Sequence, residues 1–259
     1  MAAGLARGRQ LEIERRHIED ELELARRIQA RLLPPGPPPA PGLDLAGTSE
    51  SAREVGGDYY DFLPLAGGRV ALVIADVSGK GVGAALLMSA FRASLMSQDL
   101  AREGIATVLA RLNRFLHHSV EPGKFVTAFL GVVDGASGRL VYANAGHNPP
   151  LLVGADGVVT RLETGGLILG VFEDAAYETG EVELAPGDRL VLYTDGVTEA
   201  MDERDEQWGE ERLVELVRAG ADLDSAALLG RIVEAVRRFE GDRGASDDVT
   251  LIVARRKEA

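Results

Sequence analysis

From Leu11 onward, Leu11, Arg15, Ile18, Leu22, Ala25, Gln29 and Leu32 recur at steps of four and three, with Glu and Arg filling most positions between them. That spacing predicts an amphipathic helix with one narrow seam, about three heptads long and near the minimum length for a helix alone in water. Such a helix is expected to pair with a second copy or to lie on the rest of the chain. It must stop at PPGPPPAPG, residues 34–42, because proline lacks the amide donor and clashes with the preceding turn. The predicted organisation is a helical stalk over 1–33, a stiff linker over 34–42 and a single domain over 43–257.

Past the linker the period changes. Short β-rich runs begin near 43–49, and RVALVIA at 69–75 predicts a buried strand that leads into Asp76, the turn SGKG and a helix from about 82 to 102. A second helix over 105–118 carries Val108, Leu109, Leu112, Phe115 and Leu116 on one face. Three hairpins follow: 125–133 with 139–145 across DGASG, 151–153 with 158–162 across GADG, and 177–184 with 189–193 across APGD. Helices near 210–218 and 225–239 precede a closing strand at 249–254. Helices, a β meander and helices again predict an α+β layered domain with antiparallel sheets, since a doubly wound nucleotide fold would alternate strand and helix throughout.

The 259 residues, 46% of them hydrophobic, suffice for one sizeable core. With 41 acidic against 28 basic residues the formal charge is −13, which opposes the counterion release that drives nucleic-acid binding. No nucleic-acid partner is expected. Phosphate can still be bound if divalent cations neutralise a carboxylate cluster, so the acidity directs attention to metal sites. The absence of cysteine removes disulfides, thiolate zinc sites and cysteine nucleophiles, and fits a reducing cytoplasm. No run of eighteen apolar residues and no signal-peptide pattern occurs, so no membrane insertion is expected.

Four aspartates share one local context: Asp58 in VGGDYYDF, Asp76 in IADVSGKG, Asp195 in YTDGVTEA and Asp247 in ASDDVTLIV. Each falls at a strand edge or in a tight turn. Taken singly, Asp-Gly turns are explained by backbone preference. Together, carboxylates from distant strand ends can converge at one end of a sheet sandwich, where hard oxygens suit Mg²⁺ or Mn²⁺. SGKGVG is not a nucleotide-binding loop, because the required earlier glycine is missing and no Ser or Thr follows Lys80. GGDYYDF lacks the adjacent second acid of a GGDEF cyclase signature.

Eight ordered segments between about residues 25 and 255 carry a resemblance: ARRIQARLLPP, REVGGDYYDF, IADVSGKGVGAALLMS, FVTAFLGVVD, YANAGHNPPLL, GGLILGV, DRLVLYTDGVTEAMD and SDDVTLIVARR. In wording and order they resemble the metal-dependent protein phosphatase (PPM, protein phosphatase 2C-like) family, in its bacterial SpoIIE/RsbU-like branch. The resemblance implies an αββα sandwich with two Mn²⁺ or Mg²⁺ ions at one edge, and hydrolysis of phosphoserine or phosphothreonine by a metal-activated water. It implies that Asp76 bridges the ions, that the Val77 carbonyl serves one of them, and that Asp58, Asp195 and Asp247 complete the cluster. Asp61 and Asp248 are alternates for their neighbours, with Asp247 placed ahead of Asp248 on family register. Two-metal chemistry needs no nucleophilic side chain, which agrees with the lack of cysteine.

His147 in NAGHNPP is open to two roles, donating a proton to the leaving alkoxide or holding its own turn. Lys80 is open to phosphate contact or to solvation as a loop cation. His117 and His118 are expected to cap their helix, where imidazole suits the C-terminal dipole. The resemblance further implies a STAS-type anti-sigma-factor antagonist as substrate in a partner-switching circuit, with a homodimer and an upstream sensor or activator acting on the N-terminal helix. A signal-gated or non-catalytic phosphoprotein-binding dimer module with the same fold is the alternative.

Overall fold

A computed structural model describes the backbone of residues 2–258 and the side chains of 11–258; Met1, the first residue of the expected stalk, lies outside them. Helix α1 covers Ala2–Ala30. Its seam meets the body only near its end: Leu22, Ala25, Gln29 and Leu32 are half-buried, whereas Leu11 and Ile18 remain 59% and 57% exposed. The proline run then carries the chain to the first strand.

Two sheets form the domain. The first has the order β1 (Leu43–Glu50), β11 (Val249–Arg256), β10 (Arg189–Tyr193), β6 (Leu151–Val153) and β7 (Val159–Arg161). The second runs β2 (Tyr59–Pro64), β3 (Arg69–Val77), β4 (Val126–Asp134), β5 (Arg139–Ala145) and β8 (Gly165–Gly166), with β9 (Gly180–Glu183) also on β5. All these pairings are antiparallel except the two-residue parallel pairing of β8 with β5.

Side-chain alternation along β3 shows how the layers are built. Leu72 and Ile74 point between the sheets, with Phe62, Phe129, Leu192 and Ile252. Ala71, Val73 and Ala75 point the other way, under α2 (Val82–Met96) and α4 (Ile105–Ser119), which supply Met88, Phe91 and Leu112. On the outer face of the first sheet, past the single turn α5 (Asp195–Thr198), α6 (Glu210–Ala219) and α7 (Ser225–Glu240) lay Leu213, Leu228 and Ile232 against Val191, Leu251 and Val253. The result is the expected four-layer αββα sandwich.

Two expectations change. The helix expected over 82–102 is interrupted: α2 ends at Met96, and a single turn, α3 (Leu100–Glu103), follows. At the break the Ser97 hydroxyl donates to the Ser94 carbonyl at 2.7 Å, satisfying an end-of-helix acceptor. The third hairpin is not one. β9 pairs with β5 and β10 pairs with β6 and β11, so APGD carries the chain from one sheet to the other. β10 is buried at all five positions as a central strand, while β9 alternates as an edge strand, and the two burial patterns suit different sheets. Asp188 pins the crossing by accepting from the Ala185 and Ala155 amides at 2.8 and 3.0 Å.

Leu72, fully buried between the sheets, tests the packing. Leu72→Ala is expected to lower unfolding free energy by about 2–5 kcal/mol in urea titration, and a loss under about 1 kcal/mol would contradict it.

Candidate metal centre

Strand register brings the acids together. Tyr59 pairs with Ala75, which sets Asp58, just before β2, beside Asp76 near the end of β3. In the other sheet Tyr193 pairs with Leu251, which sets Asp195, just past β10, beside the Asp247–Asp248 entry to β11. Thr194 joins the sheets: its hydroxyl donates to Asp58 Oδ2 at 2.8 Å, and its Oγ1 accepts from the Thr250 amide at 3.1 Å.

Close backbone approach depends on glycine at two points. A Cβ on Gly57 would lie 2.9 Å from the Val77 carbonyl oxygen, so that oxygen is directed at the residue before Asp58. A Cβ on Gly196 would overlap the Asp248 carbonyl, so the Asp195 turn and the β11 entry can touch only without a side chain there.

The electrostatics show convergence. Asp58 is 5% exposed, and its proton affinity is raised by burial and by Asp76, with a smaller push from Asp248, against the Thr250 and Thr194 hydroxyls. Asp76 is pushed up to about 7 by burial and by the charges of Asp195, Asp247 and Asp248. Asp195 is raised by burial, then by Asp247 and Glu199. Each of the four sequence-selected aspartates therefore feels, or is felt by, another. Among the described residues no three acidic, histidine or cysteine side chains stand as a ready-made metal-holding group. The donor set nevertheless fits a hard divalent cation: several carboxylates and a main-chain carbonyl, crowded until one holds a proton near neutrality.

The alternates separate. Asp248 has both oxygens engaged, accepting from the Ala52 and Gly57 amides at 2.8 Å each, so it ties β11 to the Asp58 loop. Asp247 keeps Oδ2 outside such amide bonds and meets the Lys80 ammonium there at 2.8 Å, while Lys80 also donates to the Ser246 carbonyl at 2.7 Å. Asp61 lies on the α2 side of β2, accepting from the Tyr59 hydroxyl at 2.6 Å and from the Phe62 amide at 2.8 Å. It is absent from the charges that shift Asp58, Asp76 and Asp195.

His147 is 4% exposed and lowered to about 4 by burial, so it is neutral at pH 7. Its Nδ1 lies 2.9 Å from Thr127 Oγ1, and its amide donates to Asn144 Oδ1 at 2.7 Å. His117 Nδ1 lies 3.2 Å from the Gly170 carbonyl, and His118 Nε2 lies 3.3 Å from Glu173, so both tie α4 to the 170–173 loop.

Two contributors escaped sequence reasoning. Thr194 is one, although it stands inside YTDG. Gln29 is the other: its side-chain amide donates to the Gly56 carbonyl at 2.7 Å and accepts from the Gly56 amide at 3.1 Å, two residues before Asp58. A polar residue in an apolar helical seam was its signal.

The model of Stage II sporulation protein E (SpoIIE) matches residues 66–257. The chain belongs to the SpoIIE family. It is 34% identical over 245 residues to phosphoserine phosphatase RsbU of Bacillus subtilis, covering 93% of this chain and 71% of that one. The SiaA-PP2C domain of Pseudomonas aeruginosa superposes with a TM-score of 0.80 at 23% identity, covering 95% of this chain and 99% of that one. The RsbU and RsbW domains of Rv1364c from Mycobacterium tuberculosis give 0.71 at 33% identity, covering 87% and 63%. The chain is thus a protein serine/threonine phosphatase of the SpoIIE/RsbU branch, with the protein phosphatase 2C fold.

A carboxyl whose folded pKa exceeds its unfolded value adds stability that is complete below the unfolded value and lost as pH rises through the folded one. For Asp76 that window runs from about 4 to about 7. In EDTA the Tm of the wild type is expected to fall by at least about 3 °C between pH 5 and pH 8. Asp76→Asn should fall less, and Mn²⁺ should restore the loss in the wild type alone. Identical pH profiles for the two proteins would contradict the site.

Proposed function

We propose that this phosphatase removes phosphate from phosphoserine or phosphothreonine of a regulatory protein, using divalent cations held by Asp58, Asp76, Asp195, Asp247 and the Val77 carbonyl. The observation that carries this reading is the convergence at one edge of the two sheets of Asp58, which is buried, with Asp76 and Asp195, which are half-buried, each held above its ordinary carboxylate range by burial and by a neighbouring acid. Asp76 is shifted by Asp195 and Asp247 and itself shifts Asp58, which suits a bridging position. Two Mn²⁺ or Mg²⁺ ions bound there supply an activated water and a clamp on the phosphoryl oxygens.

The chain's own residues prepare that centre. Thr194 orients Asp58 across the sheets, and Asp248 fixes the Asp58 loop through two backbone amides. Lys80, on the Asp247 carboxylate, offers a cation to a phosphoryl oxygen. His147 is neutral and enclosed, which favours its role of holding the 144–147 turn over that of general acid.

The substrate in this reading is a phosphorylated STAS-type protein in a partner-switching circuit, acting in the cytoplasm. Support comes from the likeness to RsbU, and no helix among the described residues is long and apolar enough to cross a membrane. The uncovered seam at Leu11 and Ile18 suits a homodimer. A signal-gated form of the same enzyme is favoured by Gln29, whose grip on Gly56 gives a sensor or activator on α1 a direct hold on the Asp58 loop.

Release of para-nitrophenol from para-nitrophenyl phosphate is expected with Mn²⁺ or Mg²⁺ and not with EDTA. Asp76→Asn should lower it by at least about 100-fold, beyond the usual effect of an outer-shell change. Activity in EDTA, or undiminished activity in Asp76→Asn, would contradict the reading. For gating, Gln29→Ala and removal of residues 1–34 should each change the metal-dependent rate severalfold, and unchanged rates and oligomeric mass would remove that part.

A further inference from the structure

A cavity of about 330 Å³ opens beside the acidic centre, between α2 and the 119–124 turn. Val77, whose carbonyl oxygen would lie 2.9 Å from a Cβ on Gly57, the residue before Asp58, is among its lining residues, with Ser78. Its α2 wall is apolar, with Leu86, Leu87 and Ala90, and the opposite wall joins Val120 to the polar Ser119, Glu121 and Lys124. Leu87 and Val120 are anchored on the underlying core, whereas Leu86 is 67% exposed and Val82, one turn earlier, is 49% exposed. An aliphatic surface left open in this way costs free energy until something covers it.

Charge identifies what covers it. The sequence has only three lysines, Lys80, Lys124 and Lys257, in a chain of net charge −13. Two of them lie at the 78–80 turn that follows Asp76. Lys80 is paired with Asp247. The Lys124 ammonium lies over Gly79 and 3.4 Å from the Ser78 carbonyl, and among the described residues no carboxylate pairs with it. Lys124 shares the cavity lining with Glu121, with which it forms no ion pair, so a cation without a carboxylate partner stands in the groove beside the turn that follows Asp76. An anionic group entering the centre with an aliphatic chain alongside it would satisfy both features.

The geometry points to this groove as the seat of the substrate segment that flanks the phosphoserine: aliphatic residues beside the phosphoserine pack on Leu86, Leu87 and Val120, and Lys124 meets the approaching phosphate. This rests on the phosphatase reading and adds to it a sequence preference set by α2. Arg is the more specific phosphate ligand in general, but a compact ammonium suffices as a point charge where cations provide the geometry. A small aryl phosphate has no flanking residues and cannot use the groove.

Two synthetic phosphoserine peptides, identical except for Leu or Asn on both sides of the phosphoserine, test the assignment with wild type, Leu86→Asp and Lys124→Gln. For the wild type, kcat/KM is expected to be about tenfold or more higher for the Leu peptide, the scale of discrimination an apolar pocket gives. Leu86→Asp should bring that ratio towards one, and Lys124→Gln should raise KM for both peptides while keeping the ratio. Leu86 is exposed, so its replacement leaves the core intact. A wild-type ratio near one, alongside hydrolysis of para-nitrophenyl phosphate, would overturn the groove and leave the phosphatase standing. If nothing is hydrolysed under either ion, the phosphatase reading fails, and equal binding of the two labelled peptides by fluorescence anisotropy would overturn the groove as well. A drop in mass by light scattering in Leu86→Asp would assign the groove to a second copy of the chain and overturn the proposal too.

Discussion

Carboxylates at one edge of the sandwich repel one another, and the fold has to hold them there regardless. Asp58, Asp76 and Asp195 all gain proton affinity from burial and from their neighbours' charges, a cost that a folded protein removes only by protonation or by cations. The opposing forces are ordinary ones. Three apolar layers, one between the sheets and one under each pair of helices, fix the strands in register. That register delivers the strand ends to the same edge, and Gly57 and Gly196 let the connecting backbone approach closely enough for the acids to meet.

Specific hydrogen bonds then divide the acids by task. Asp248 is consumed by two backbone amides and serves as a brace, Asp61 is consumed by Tyr59 and Phe62 on the far side of its strand, and Asp247 is left facing the centre with only Lys80 on its free oxygen. Adjacent carboxylates of identical chemistry thus differ in what already binds them. The same logic extends to α1, whose Gln29 contact reaches the Asp58 loop while most of its residues from Leu11 to Ala30 remain exposed. An element so weakly attached elsewhere can shift at little cost in buried area.

Much of this was legible in the chain. The change from a seam spaced by three and four to short β runs marked where α1 ends and the strands begin, and RVALVIA ending near Asp76 placed one acid at a strand end. The order of the eight segments supplied the family. What stayed hidden depended on long-range pairing: APGD has the composition of a hairpin turn, yet the burial of β10 on both faces sends β9 to the other sheet. The break after Met96 rests on a local Ser97 to Ser94 bond that competes with continued helix. Thr194 and Gln29 act across distances of 136 and 27 residues, which no local pattern records.

Under the proposed function the acidic edge would hold two ions, with Asp76 serving both. Anomalous diffraction from crystals soaked in Mn²⁺ measures this directly. Two peaks are predicted, both touching Asp76, with Asp58, Asp195, Asp247 and the Val77 carbonyl around them. No peak at this edge, or ions held by Asp61 or Asp248 in place of Asp58 and Asp247, would contradict the account.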